Sequence, residues 1–241
     1  MWRLRLAIAV LDSSISVAIR HTARLMEADA ATVGLEKVGE VKHLTAAFRK
    51  GLATAGVPGV RAGGKTLSIA SWEPQGVKGR LGPIDVVVGA GPRFTAFFEL
   101  KWAHQKNELG WTLWDIYKLA AARIEYGAAG YAIVGAPLSY WDDETIDCSA
   151  LYCDGDWDSG DVFRRYERAW KDLLTGGTAR PLRIPSTIAT RLVASEEIHV
   201  SPKWELRALA VDVPETKWLD FEGDWPVGHG VKREDNMAAD V

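Results

Sequence analysis

The order of local patterns along this 241-residue chain predicts an α/β domain. Three observations predict it. A stretch with apolar residues at helical spacing covers 36–55; two β-rich runs, 84–88 and 94–101, flank a Gly89-Ala-Gly-Pro92 turn; and a helical stretch, 111–126, leads into the apolar run Tyr131-Ala-Ile-Val134. Strands alternating with helices in this way build a sheet covered by helices.

Taken in order, residues 12–29 read as a helix, with Asp12 and Ser13 as caps. The second helix carries Val41, Leu44, Ala47, Phe48 and Leu52 on one face and ends at Gly56 and Pro58. Residues 57–65 read as a glycine-rich loop, 66–72 as a short strand and 76–82 as a turn. Beyond Pro137 the pattern loosens into an acidic polar stretch, 142–161. A helix over 162–174 and strands over 187–193 and 204–213 follow. Residues 230–241 read as a disordered tail. The resulting organisation is an N-terminal helical extension (1–35), a core (36–137), a C-terminal α+β elaboration of the same domain (138–229) and the tail (230–241).

Composition sets the bounds. Hydrophobic content of 47% and charged content of 25% suit a folded domain. A net charge of −3 supplies no global attraction to nucleic acid, so such a partner would need a local basic patch or bound metal. Two cysteines, Cys148 and Cys153, are too few for a disulfide framework or a tetrahedral zinc site, and predict free thiols in a reducing cytoplasm. The apolar start stops at Asp12 without a cleavage site, and no run approaches the ~20 apolar residues of a membrane span. No membrane partner is expected. Eleven tryptophans are the odd number; packing explains such residues first, base stacking second.

The chemistry lies in the hairpin. Glu99 and Lys101 are two residues apart on one strand and share a face. Asp85 opens the preceding strand, so an antiparallel hairpin places it beside the end of the next, next to Glu99. Two carboxylates at the end of an apolar strand pair are costly without a positive partner. Mg²⁺ (or Mn²⁺) takes such oxygen ligands, with Lys101 as a fixed charge at its edge. This set suits phosphodiester hydrolysis, in which the metal polarises phosphate and acidifies water while the lysine orients that water.

Pro83-Ile84-Asp85, thirteen intervening residues, then Glu99-Leu100-Lys101 resembles the PD-(D/E)XK nuclease superfamily. One residue, Ile84, separates the proline from the aspartate. The resemblance covers 36–137. It implies a restriction-endonuclease-like core (helix, three strands, helix, strand) in which Asp85 and Glu99 bind metal and Lys101 is catalytic. It also implies an acidic residue on the first core helix; Glu40 matches best, with Glu36 in reserve. Asp115, Tyr117 and Lys118 are the candidates on the helix after the lysine. The implied partner is nucleic acid, DNA before RNA, and a homodimer would suit an enzyme cutting both strands. The alternative is an inactive relative serving as a binding module.

Gly59-Val-Arg-Ala-Gly-Gly-Lys65-Thr66 matches the phosphate-loop expression, but a helix precedes it and a strand-like run follows, the reverse of what phosphate binding requires. Nucleotide binding is therefore the weaker alternative, and Arg61 and Lys65 read as a basic loop near the substrate backbone. The five histidines show no metal-ligand spacing and read as ordinary surface or core residues; His104, three after Lys101, could reach the site mouth, but surface exposure is its first reading. The acidic stretch 142–161 lacks the closing glutamate of a calcium loop and reads as solvated.

Overall fold

A computed structural model of the chain describes residues 2–62, 72–73, 84–90, 93–141, 152–167, 180–181, 183–222 and 225–227. The expected strand 66–72 (save Trp72), the turn 76–82, the tail 230–241 and Lys65 lie outside these residues.

The chain opens with one long helix, α1 (Trp2–Val33). The sequence reading began it ten residues late, at Asp12. The apolar spacing runs on through that point, and Asp12 does a different job from capping. Its carboxylate accepts the Tyr131 hydroxyl (2.9 Å) and the Arg191 guanidinium (2.7 Å), pinning α1 to the sheet. Ile15, Ala18, Ile19 and Met26 are fully buried along one face. Gly34, at φ 88°, ends the helix in a backbone conformation that side chains resist.

The helix expected over 36–55 is interrupted. Leu35–Lys37 forms a 3₁₀ turn and Glu40–Leu44 a π-helical turn, and only Thr45–Thr54 is α-helix (α2). Val38 is buried and Gly39 is extended between the two turns, with the Gly39 amide donating to His43 Nδ1 at 2.9 Å. That break frees Glu40 from a continuous helix. α2 packs on α1 at Gly51, where a Cβ would lie 2.6 Å from the Ala18 carbonyl oxygen, so only glycine permits this approach.

The remaining elements are β1 (Val60–Ala62), β2 (Trp72–Glu73), β3 (Val86–Ala90), β4 (Arg93–Trp102), α3 (Lys106–Tyr126), β5 (Ala129–Pro137), α4 (Leu138–Trp141), β6 (Gly155–Asp158), α5 (Ser159–Arg165), β7 (Arg180–Pro181), β8 (Arg183–Pro185), β9 (Thr187–Ile198), β10 (Trp204–Asp212), β11 (Trp218–Glu222) and β12 (Trp225–Val227). A seven-stranded mixed sheet runs β1-β3-β4-β5-β10-β9-β6. Its single parallel pair is β4 with β5, joined through α3; the other neighbours are antiparallel. Small sheets β12-β11-β8 and β2-β7 complete the described strands. The chain is thus a mixed α/β fold. The C-terminal strands β9 and β10 extend the same sheet as the hairpin, because β10 pairs with β5 from Trp204 opposite Pro137 to Val211 opposite Gly130.

Alternation along β4 divides two cores. Ala96, Phe98, Leu100 and Trp102 pack with α1 and α2, whereas Phe97 packs with α3. Three expectations change at the element ends. β1 lies inside the expected loop 57–65. α5 runs from Ser159, where the Asp158 carboxylate caps it, to Arg165, and residues 168–174 of the expected helix lie outside the described residues. α3 starts at Lys106 rather than Trp111, because Gln105 and Glu108 form a capping box, with Gln105 N–H donating to Glu108 at 3.0 Å. Among the described residues no helix is long and apolar enough to cross a membrane.

Candidate active site

The hairpin register brings the first pair together. Val86 faces Phe98 across β3 and β4, so Asp85, one residue earlier, stands beside Glu99, one residue later. Asp85 leaves the ladder here and uses its own carboxylate instead, Oδ2 accepting the Leu100 N–H at 2.8 Å. Glu99 and Lys101 share the α3 side with Phe97 by alternation.

α3 closes the site from that side. Its early start places Trp111, Asp115 and Lys118 one turn apart along one face. Lys118 Nζ lies 2.6 Å from Glu99 Oε1 and 3.6 Å from Asp115 Oδ1. Lys101 Nζ lies 5.7 Å from the centroid of the Trp111 ring, whose face favours a cation. Glu40 arrives from the π-helical turn. Its Oε2 is 3.1 Å from Lys101 Nζ and also accepts the Trp102 N–H at 3.3 Å. Asp85 and Glu40 therefore satisfy two backbone amides at the C-terminal end of β4 as well as contributing charge.

That strand end is held from behind. Trp102, on the α1/α2 side, stacks on Trp204 with centroids 4.2 Å apart. Its ring fits because Gly135 on β5 has no side chain; a Cβ there would stand 2.3 Å from the ring.

Exposure falls from the rim inward. The side chains of Glu40 (28%) and of Lys101 and Asp115 (19% each) reach solvent, whereas Lys118 (9%) and Glu99 (4%) are buried. Burial pushes the Glu99 carboxyl well above its ordinary range, against the pull of Lys118; Asp85 and Asp115 push it the same way as burial. Burial also raises Asp115, to about 6, despite Lys118 and Lys101. For the lysines burial acts the other way and is outweighed. Asp115, Glu40 and Asp85 raise Lys101, and Glu99, Asp115 and Asp85 raise Lys118. Both stay ammonium ions.

Comparison with known proteins returned no match. No protein-family model, curated protein or solved structure is similar enough to this chain to be reported. The site is therefore read from its own residues. Four carboxylates (Glu40, Asp85, Glu99, Asp115) surround two ammonium groups (Lys101, Lys118), a formal excess of two negative charges. Every anionic donor is a hard carboxylate oxygen, the ligand type that Mg²⁺ and Mn²⁺ take. Among the described residues no three acidic, histidine or cysteine side chains converge into a ready-made cage. The donor set fits a cation held by one or two carboxylates and completed by water and substrate oxygens, the usual arrangement for Mg²⁺.

The other expected residues fall elsewhere. Tyr117 is fully buried and packs on Phe163 at 5.2 Å, so it belongs to the core beneath α3 and not to the site. Glu36 lies exposed on the 3₁₀ turn. His104 Nε2 bonds to the Val38 carbonyl oxygen at 2.9 Å, and its ring meets the edge of Trp204. Arg61 is on β1, where its guanidinium donates to Gly89 O (2.6 Å) at the far end of β3 from Asp85; it is not beside the site. In the acidic stretch, Asp154 accepts the Leu192 N–H and Asp158 caps α5, so two of its carboxylates are structural. Trp111 was not singled out by sequence reasoning. Its spacing of four and seven from Asp115 and Lys118 was the available signal, obscured because the helix was started at Trp111 itself.

Proposed function

We propose that this chain is a divalent-metal-dependent nuclease with a PD-(D/E)XK-type site on a restriction-endonuclease-like core, acting on DNA phosphodiesters. The observation that supports it is the clustering of Glu40, Asp85, Glu99 and Lys101, drawn from three separate segments, in a group of four acidic side chains around two ammonium groups. The strand order β1-β3-β4-β5, with β4 parallel to β5 across α3, also suits such a core.

Asp85 and Glu99 would hold the cation, which when bound supplies charge to the scissile phosphate and a more acidic water. Glu40, fixed by the Trp102 amide, orients the Lys101 ammonium. Lys101 then presents one N–H toward the attacking water or the charge that develops on phosphate. Trp111 keeps that ammonium from swinging into solvent.

The test is cleavage of linear and circular DNA by the purified chain. Products are expected with Mg²⁺ or Mn²⁺, and none with a chelator or in Glu99→Gln. Cleavage that persists in chelator would overturn the reading; an RNA substrate run in parallel decides the sugar preference.

The same site sets a pH dependence. Asp115 titrates near 6 in the fold against 3.8 ordinarily, so the stability its protonation contributes is present below about 4 and is lost as pH rises through about 6. Cation binding prefers the ionised form and runs the opposite way. The metal-linked rise in melting temperature is therefore expected to shrink as pH falls from about 7 to about 5. In Asp115→Asn that dependence should weaken, which melting curves at fixed metal concentration would show.

A further inference from the structure

We propose that Lys118 is the resident counter-cation of this site, holding Glu99 in the metal-free protein and thereby lowering the site's affinity for a divalent cation. The inference rests on the metal-site reading above and concerns a residue to which that reading gives no role.

The geometry carries it. Lys118 and Glu99 are the two most buried charged groups of the cluster, with Nζ 2.6 Å from Oε1. The same ammonium stands 3.6 Å from Asp115 Oδ1, so it bridges the two carboxylates that burial most disfavours as anions. An ammonium on a buried carboxylate supplies what a cation would supply, at the same carboxylate. The Lys118 side chain is only 9% exposed, so it does not reach water from where it stands. A divalent ion must therefore bind against the Lys118 charge, and Lys101 at the rim adds to that repulsion. Like charges within a few ångströms in a partly desolvated site repel strongly.

A purely architectural ion pair predicts the opposite sign. If Lys118 only fastened α3 to β4, its removal would loosen Glu99 and weaken metal binding. If Lys118 is the counter-cation, its removal leaves four carboxylates facing Lys101 alone, and metal binding tightens.

The experiment is Mn²⁺ titration, by calorimetry and by the paramagnetic signal of free Mn²⁺, on the full chain, Lys118→Met and Lys118→Arg. Lys118→Met is expected to bind Mn²⁺ roughly tenfold or more tightly than the natural chain, the size set by removing one nearby unit charge. Lys118→Arg, which keeps the charge, should bind as the natural chain does. Binding by Lys118→Met alone also supports the proposal. Equal or weaker binding by Lys118→Met, with the natural chain binding normally, overturns the role of Lys118 and leaves the metal site standing. No binding by any of the three overturns both. Should Lys118→Met fold only when Mn²⁺ is present, the ion is replacing the ammonium and the proposal holds; failure to fold in either buffer assigns Lys118 to architecture and overturns it.

Discussion

Replacing Lys101 by alanine is expected to lower metal-dependent DNA cleavage by roughly 10²- to 10⁴-fold, the range lost with a group that positions or transfers a proton. The fold should survive. Lys101 sits at the partly exposed rim, and its ion-pair partner Glu40 is more exposed still. Loss of such a pair costs about 0–1 kcal/mol. Glu40 would keep its hydrogen bond from the Trp102 amide. Single-turnover cleavage together with a melting curve separates the two effects. An unfolded variant would show a structural lysine, and unchanged cleavage would remove Lys101 from the chemistry.

Glu99→Ala should do the reverse and act first on stability. It takes from the buried Lys118 ammonium its nearest carboxylate, leaving Asp115 at 3.6 Å and the charge of Asp85. Breaking one side of a buried ion pair typically costs about 3–5 kcal/mol, because an uncompensated charge is left behind. The lower end is expected here, since Asp115 retains part of the compensation. Denaturant unfolding in chelator measures it. A loss below about 1 kcal/mol would mean that the pair is solvated in solution and that the Glu99 environment is wetter than its burial implies.

The contrast between those two variants follows from features that differ in how far they can be read from sequence. Asp85, Glu99 and Lys101 were legible because strand alternation and hairpin register are local rules. A glycine turn between two β-rich runs determines which residues stand side by side. Glu40 was legible only by resemblance. Periodicity alone predicted an unbroken helix over 36–55, and the break depends on burial of Val38 and extension of Gly39, which are tertiary facts.

The Glu99–Lys118 pair joins residues nineteen apart, across the turn from β4 into α3. Its formation depends on how α3 is rotated against the sheet. That rotation follows from a helix start that the Gln105–Glu108 capping box sets at Lys106. Capping by glutamine is an unusual signal, since serine, threonine, asparagine and aspartate lead at that position. The same difficulty hid the length of α1. Asp12 and Ser13 look like a cap, yet Asp12 is engaged by Tyr131 and Arg191, partners more than a hundred residues away.

Gly59–Thr66 shows the converse. Its letters fit a phosphate loop, but Val60–Ala62 is an edge strand paired with Val86–Val88. The flanks, not the motif, decided the reading.

The acidic cluster around Asp85 and Glu99 is proposed to receive a divalent cation. The most direct test is thermal melting with and without Mg²⁺ or Mn²⁺, on the natural chain and on Asp85→Ala. Binding to the folded state raises the midpoint by mass action. A metal-dependent rise is expected in the natural chain and should vanish in Asp85→Ala. No rise at millimolar metal, or an equal rise in Asp85→Ala, would contradict it.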